Sequence, residues 1–256
     1  MGRLTLVTEM ARNQLIRVPA VRARARRSHY TGIQSQTGAS EALLEHLTSL
    51  LPWPLPGLKV LEVGPGSGTE MMRLMTKAGV GTYAAFDVER YLEPEDLPDP
   101  AIDYRTGTDG VLPWEADTFD LVWSHSVMEH VRDPRGVQAE IQRVLKPSGR
   151  QFAGIDFKDH LQDRTDPAGM YDMLSYTSRT WDLMTSHRST WVNRLRYSDW
   201  IQLFTEAGFV VEQVVPEHDH VDLEAFRTLS YLDRYSDEDL LNTSASFVLA
   251  PTPVQP

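Results

Sequence analysis

Between residues 59 and 155, short apolar runs alternate with stretches whose apolar residues recur every three or four positions. Lys59 to Val63, Thr82 to Phe86, Ile102 to Thr106, Phe119 to Ser124 and Arg150 to Ile155 read as strands. Glu70 to Lys77 reads as a helix, with Gly79 just past its end, and Pro134 to Leu145 as another, with apolar Val137, Ile141, Val144 and Leu145. Pro147, Ser148 and Gly149 form a turn between that helix and the next strand. Upstream, Ser40 looks like the N-cap of a helix through Leu43, Leu44, Leu47 and Leu50, stopped by Pro52, Pro54 and Pro56. Val18 to Arg27 reads as a short helix begun by Pro19, and residues 31–38 as a loop. Downstream, Ser198 caps a helix through Trp200, Leu203 and Phe204 that ends at Gly208, and Phe209 to Val215 and Ala245 to Leu249 read as late strands. Strands that alternate with helices predict an α/β fold: a doubly wound, mostly parallel sheet with right-handed crossovers. Residues 157–195 break the alternation; they are polar and aromatic, with Tyr171, Tyr176, Trp181 and Trp191.

Composition narrows the function classes. The 256 residues are 41% hydrophobic and 24% charged, ordinary for a globular chain. A net charge of −11 argues against nucleic acid as the partner, because phosphates call for a basic surface. The chain has no cysteine, which excludes disulfides, thiolate-ligated zinc and thiol nucleophiles. No apolar run approaches the roughly 20 residues that span a bilayer, so no membrane insertion is expected. The early arginines (Arg17, Arg22, Arg24, Arg26, Arg27) come too late for a signal peptide, and the expectation is a cytoplasmic protein. Those arginines read as a solvated face, or as a patch for an anionic substrate or an interface; a homodimer is left open.

The candidate chemistry starts at the first strand. Gly64, Gly66 and Gly68 follow it directly and precede a helix, the arrangement in which a ligand meets bare backbone and free helix N–H groups. A nicotinamide fingerprint wants G-x-G-x-x-G, but its third glycine position holds Thr69. Glu62, two residues before the first glycine, suits a ligand that carries an ammonium group. Asp87 closes the second strand 19 residues after Gly68, where an acid accepts hydrogen bonds from ribose hydroxyls.

With these residues the chain resembles the class I S-adenosylmethionine-dependent methyltransferases, in the branch that modifies small molecules, lipids and sugars. The resemblance rests on ordered blocks over roughly residues 58–215. They are Val60 to Gly68, Phe86-Asp87-Val88, Leu112-Pro113-Trp114, Phe119 to Ser124, Val127-Met128-Glu129-His130-Val131, Glu140 to Arg150, and Ala207-Gly208-Phe209. It implies a Rossmann-like, seven-stranded sheet with an antiparallel last strand, an N-terminal helical lid (1–40), a main domain (41–256) and an insertion after the fifth strand (157–200) that shapes the acceptor pocket. It implies S-adenosylmethionine as cofactor, held by Glu62, Gly64, Pro65, Gly66, Ser67 and Gly68 at the methionine end and by Asp87 at the ribose. Thr108 and Asp109 compete for the adenine position beside Gly110, with Asp109 favoured, and Ser124 and His125 follow the fourth strand near the transferred methyl. Some relatives that methylate quinone precursors carry a further glutamate before the Glu-His pair, a set resembling a divalent-metal site. Ser126 stands there in this chain, so no metal is expected and Glu129 and His130 read as a helix-start cap and a packed histidine.

The implied function is biosynthetic methylation of a small-molecule acceptor, most readily a hydroxyl of a sugar or natural product. A C- or N-methyltransferase and a non-catalytic cofactor-binding subunit are the alternatives, with a nicotinamide oxidoreductase a distant third. For a hydroxyl acceptor a base helps, and His125 and His160 both lie where open α/β sheets build active sites. His160 is favoured, oriented by Asp156 or Asp159. Tyr30, Tyr176, Trp181 and Trp191 are the candidates to contact the acceptor; the alternative for the aromatic stretch 171–200 is a helical cap packing on the sheet.

Overall fold

A computed structural model describes residues 3–22, 38–108, 110–161, 169–219 and 221–252. The order of elements is α1 (Arg3–Leu15), α2 (Ala39–Leu50), β1 (Lys59–Val63), α3 (Glu70–Lys77), β2 (Thr82–Asp87), β3 (Asp103–Thr106), β4 (Phe119–His125), α4 (Pro134–Val144), β5 (Leu145–Asp156), α5 (Ser178–Thr185), α6 (Tyr197–Glu206), β6 (Phe209–Glu217), α7 (Leu223–Arg227), α8 (Asp237–Leu241) and β7 (Ser244–Pro251). The seven strands form one sheet in the order β3-β2-β1-β4-β5-β7-β6. β1 to β5 run parallel, and β7 is antiparallel to both β5 and β6. The strand order reverses between β1 and β4, which opens a crevice at their carboxyl ends.

The period-2 alternation of each strand feeds two cores. Leu61, Val63, Phe86, Val122, Ala153, Ile155 and Phe247 face α4 and α6, meeting Ile141, Val144, Trp200, Leu203 and Phe204. Val60, Tyr83, Ala85, Leu121, Trp123, Phe152 and Val248 face α2 and α3, meeting Leu43, Leu47, Met71, Met72 and Met75. Burial on both faces explains why these strands read as continuous apolar runs.

A third core lies outside the sheet. Met170, Tyr171, Met173, Leu174, Trp181, Met184, Val192, Phe226, Leu232 and Leu240 pack together, with Leu6 and Met10 of α1 against them. This helical cap therefore draws on three separate stretches of chain. The expected insertion at 157–200 supplies the middle one; α1 and the segment carrying α7 and α8 supply the others. Asn13 fastens α1 to α5: its amide donates to the carbonyls of Asp182 and Leu183 and to Ser186 Oγ, and its oxygen accepts from His187 N–H. Arg188 pairs with Glu9 on the same seam.

Three local expectations change. Helix α2 starts at Ala39 behind Gly38, whose φ of 89° suits glycine, and Ser40 is a buried first-turn residue rather than the cap. Helix α6 is capped by Arg196 N–H donating to the Asp199 carboxylate; the Ser198 N–H and hydroxyl instead reach Asp239. The Pro147-Ser148-Gly149 turn is absorbed into a long β5 whose register with β4 shifts between Phe119 and Leu121. Residues 19–22 are helical as expected from Pro19; the rest of that predicted helix, and the loop at 31–37, lie outside the described residues.

Candidate active site

The glycine turn leaves β1 with φ of 79° at Gly64 and 60° at Gly66, a region L side chains avoid. A Cβ on Gly64 would stand 2.5 Å from both methyls of Val127. The space a side chain would need there is filled by the chain beyond β4, so this glycine serves protein packing as well as ligand approach. Pro65 and Gly66 are buried and Ser67 and Gly68 half-buried. The Gly66 N–H donates to Asp87 Oδ2 at 3.0 Å, so the acid at the end of β2 braces the turn. Burial raises the Asp87 pKa against the hydrogen bonds that lower it. Glu89, two residues on, takes an ion pair from Arg22, which ties the N-terminal segment to the rim of this crevice.

Glu62 is deeper than a surface acid. It lies on the face of Val60 with 6% exposure, accepts the Tyr83 hydroxyl at 2.6 Å, and Tyr83 in turn accepts the Trp123 indole N–H at 3.2 Å. Desolvation lifts its pKa to about 8, so it is mostly protonated at neutral pH. An ammonium ligand nearby is the change that favours its ionised form.

At the carboxyl end of β4, Ser124 is buried and its Oγ has no hydrogen-bond partner. His125 points to the opposite face. Its Nδ1 sits where a Cβ on Gly154 would come within 2.4 Å, and burial lowers its pKa. Thr108 is exposed and Gly110 has φ of 75°; Asp109, favoured for adenine, lies outside the described residues, as does Tyr30.

The exits of β4 and β5 are neighbours because those strands pair in parallel. That brings His160, four residues beyond β5, to His130, in the 3₁₀ turn beyond β4, with ring centroids 4.8 Å apart. His160 Nε2 lies 3.5 Å from Asp156 Oδ2. Asp159 Oδ1 accepts the Leu161 N–H. Glu129 is buried beside the two imidazoles, and His130 Nδ1 is 2.7 Å from the Trp191 carbonyl. The structure thus joins His160 and Asp156 and leaves His125 apart. The sequence reading missed that Glu129 and His130 meet His160; the signal available was that both sites follow strands that become parallel neighbours.

The aromatic candidates separate. Trp181, at 1% exposure, donates its indole N–H to the Val192 carbonyl and belongs to the cap's core, so it is not an exposed acceptor surface. Its expected role is corrected for that reason: no ring face is left for a ligand. Tyr176 stacks on it from the outside and is half-buried. Trp191 is half-buried, with the Arg132 guanidinium 4.3 Å from its ring centre.

Comparison with known proteins decides the family. A model described as a methyltransferase domain matches residues 35–214. The chain belongs to that family. Among curated relatives, the ubiquinone/menaquinone biosynthesis C-methyltransferase UbiE of Ruegeria sp. (strain TM1040) is 28% identical over 138 residues, 50% of this chain and 54% of that protein. A ubiquinone biosynthesis O-methyltransferase of Methylocella silvestris is 35% identical over 108 residues, 40% of this chain and 41% of the relative. The chain thus spans about half the length, or less, of the curated relatives it matches. An S-adenosylmethionine-dependent methyltransferase from Mesorhizobium loti superposes with a TM-score of 0.58 at 16% identity, covering 83% of this chain and 98% of that one. A Haemonchus contortus N-methyltransferase solved with S-adenosylhomocysteine gives 0.55 at 16% identity, over 84% of this chain and 53% of the other. At such identity these two likenesses show the fold, which is that of class I methyltransferases.

The sequence resemblance implies S-adenosylmethionine as the cofactor. The residues present fit it. A left-handed glycine turn, a buried acid at the end of β2 and an orphaned Ser124 hydroxyl surround one crevice at the strand ends. No helix among the described residues is long and apolar enough to cross a membrane.

Proposed function

We propose that this chain methylates a hydroxyl of a small molecule, a sugar or a natural product, with His160 as the proton acceptor and Asp156 as the group that orients it. When bound, S-adenosylmethionine supplies a methyl carbon already activated by its sulfonium sulfur and leaves as S-adenosylhomocysteine. The chain's own work is then to hold the acceptor oxygen in line, exclude water and take one proton. Glu62, the 64–68 turn, Asp87, the 108–110 segment and Ser124 are assigned to the cofactor. Tyr30, Tyr176 and Trp191 are assigned to the acceptor. The observation that carries the reading is the His160–Asp156 pair, 3.5 Å apart, at the carboxyl edge of the sheet and under the cap. His160 would take the proton of an acceptor O–H held in line with the methyl group that the bound cofactor would supply. The Asp156 carboxylate stabilises the imidazolium that results.

The test is turnover of His160→Ala against a panel of hydroxylated acceptors, beside its affinity for S-adenosylhomocysteine. Turnover should fall by about 100-fold or more with affinity unchanged. Near-normal turnover overturns the assignment. The curated relatives are named for both O- and C-methylation, so the linkage of the product, read by mass spectrometry and NMR, separates those two chemistries here.

A further inference from the structure

The geometry points to a divalent transition-metal site formed by Glu129, His130 and His160. The inference rests on the reading of the chain as a methyltransferase of a hydroxyl acceptor and replaces the role given to His160: with a cation bound, His160 would be a ligand, and the hydroxyl acidified by the cation would give its proton to solvent water. Among the described residues this is the single place where three side chains of metal-ligating type bring one donor atom each within 4.8 Å of one another. Donors around a zinc-sized ion stand about 3.3 Å apart, so rotations that move each atom by about 1 Å close the set.

Three features of the surroundings support it. First, the His130 Nδ1 faces a backbone carbonyl, which can only accept. That nitrogen carries the proton, and the Nε2 lone pair is directed elsewhere. A carbonyl or carboxylate on the far nitrogen is how metal-binding imidazoles are held. His160 has its own carboxylate neighbour in Asp156. Second, the turn bearing Glu129 and His130 is clamped. Asn193 donates its side-chain amide to the carbonyls of Met128 and Val131 and its backbone N–H to the carbonyl of Glu129. Third, Glu129 is 2% exposed, which keeps its carboxyl within the fold beside the two imidazoles.

The donor set names the class of ion. Two imidazoles and one carboxylate suit zinc, manganese, cobalt or iron(II), whereas magnesium and calcium prefer all-oxygen cages. Three protein ligands leave coordination positions for the acceptor's oxygen atoms, which a cation polarises. Ser126 sits at positive φ between β4 and this turn and is exposed, so the third donor comes from the exit of β5 and not from the segment preceding Glu129.

The experiment uses the full-length chain, free of affinity tags and stripped with EDTA. Cobalt(II) is titrated in and followed by its visible absorption, and zinc(II) by calorimetry. About one equivalent should bind, and His160→Ala and Glu129→Gln should each weaken binding by about tenfold or more. His187→Ala, on the cap's surface, should leave it unchanged. Thermal shift with S-adenosylhomocysteine confirms that each variant is folded. Absence of stoichiometric binding by the native chain, or full binding by both site variants, overturns the inference. The readout is independent of turnover. Cation binding without methyl transfer overturns the functional reading and leaves the site standing; methyl transfer by a chain that binds no cation does the reverse.

Discussion

Glu62→Gln probes the buried end of the cofactor crevice. The native carboxyl has a pKa of about 8 in place of 4.5, because burial penalises its charged form more than the Tyr83 hydroxyl favours it. Below pH 4.5 both the folded and the unfolded chain carry the proton, so there is no penalty. Between 4.5 and 8 the unfolded chain ionises and the folded chain does not, and stability falls as pH rises; above 8 the loss levels off. At about 1.36 kcal/mol per unit of pKa difference, the loss from this one group is about 1 kcal/mol at pH 5, about 3 at pH 7 and nearly 5 at pH 9. Glutamine keeps an oxygen for the Tyr83 O–H and cannot ionise. The variant should therefore lose about 4 kcal/mol less than the native chain between pH 5 and 9, as read from urea unfolding at each pH. Asp87, also raised by burial, leaves a residual slope of the same sign in both proteins. If the two pH profiles run parallel, Glu62 is ionised in the folded protein and the account of its burial is wrong. The proposed contact with the cofactor's ammonium adds a second signature. Binding S-adenosylhomocysteine near pH 7 should release a proton, seen as a binding heat that depends on the ionisation enthalpy of the buffer, and Glu62→Gln should abolish that dependence.

Two further substitutions test the site and the cap. Gly64→Ala places a Cβ against Val127 at a left-handed φ; it should cost about 2 kcal/mol or more of stability and weaken S-adenosylhomocysteine binding in calorimetry. Trp181→Ala removes a buried core ring and should destabilise by about 3–5 kcal/mol in chemical unfolding. Trp191→Ala should cost under about 1 kcal/mol while raising the KM for the acceptor; the opposite ordering of the two tryptophans would overturn the division drawn between core and pocket.

The sheet was legible because its signals are local. Each strand is a short apolar run beside a turn residue, and Gly79 and Gly208 stop their helices at φ of 85°. The glycine turn and Asp87 were legible as a pair, yet what Gly64 makes room for was not, since Val127 arrives from the chain beyond β4, which becomes a neighbour of β1 only in the folded sheet. Helix α1 escaped notice for a physical reason. It faces the cap with Leu6 and Met10, but Glu9 and Asn13 are buried beside them and Val7 is 62% exposed, so its apolar stripe is short and broken by polar residues. Trp181 could not be told from Trp191 by composition: both are aromatic residues in a polar stretch, and only the packing of Val192, Tyr176 and α1 around the first one separates them. The meeting of His130 with His160 needed the strand order, which places the β4 and β5 exits side by side.

The three-part cap constrains how acceptor preference can be altered. A graft that exchanged only residues 157–200 with a relative would set a foreign middle piece against native Leu6, Met10, Phe226, Leu232 and Leu240. Its side chains would no longer interdigitate. If the cap shapes the acceptor pocket, a new specificity would call for a matched trio of segments, one from α1, one after β5 and one between β6 and β7. Single substitutions remain open at Tyr176 and Trp191, which are half-buried and pack on the edge of that shared interior.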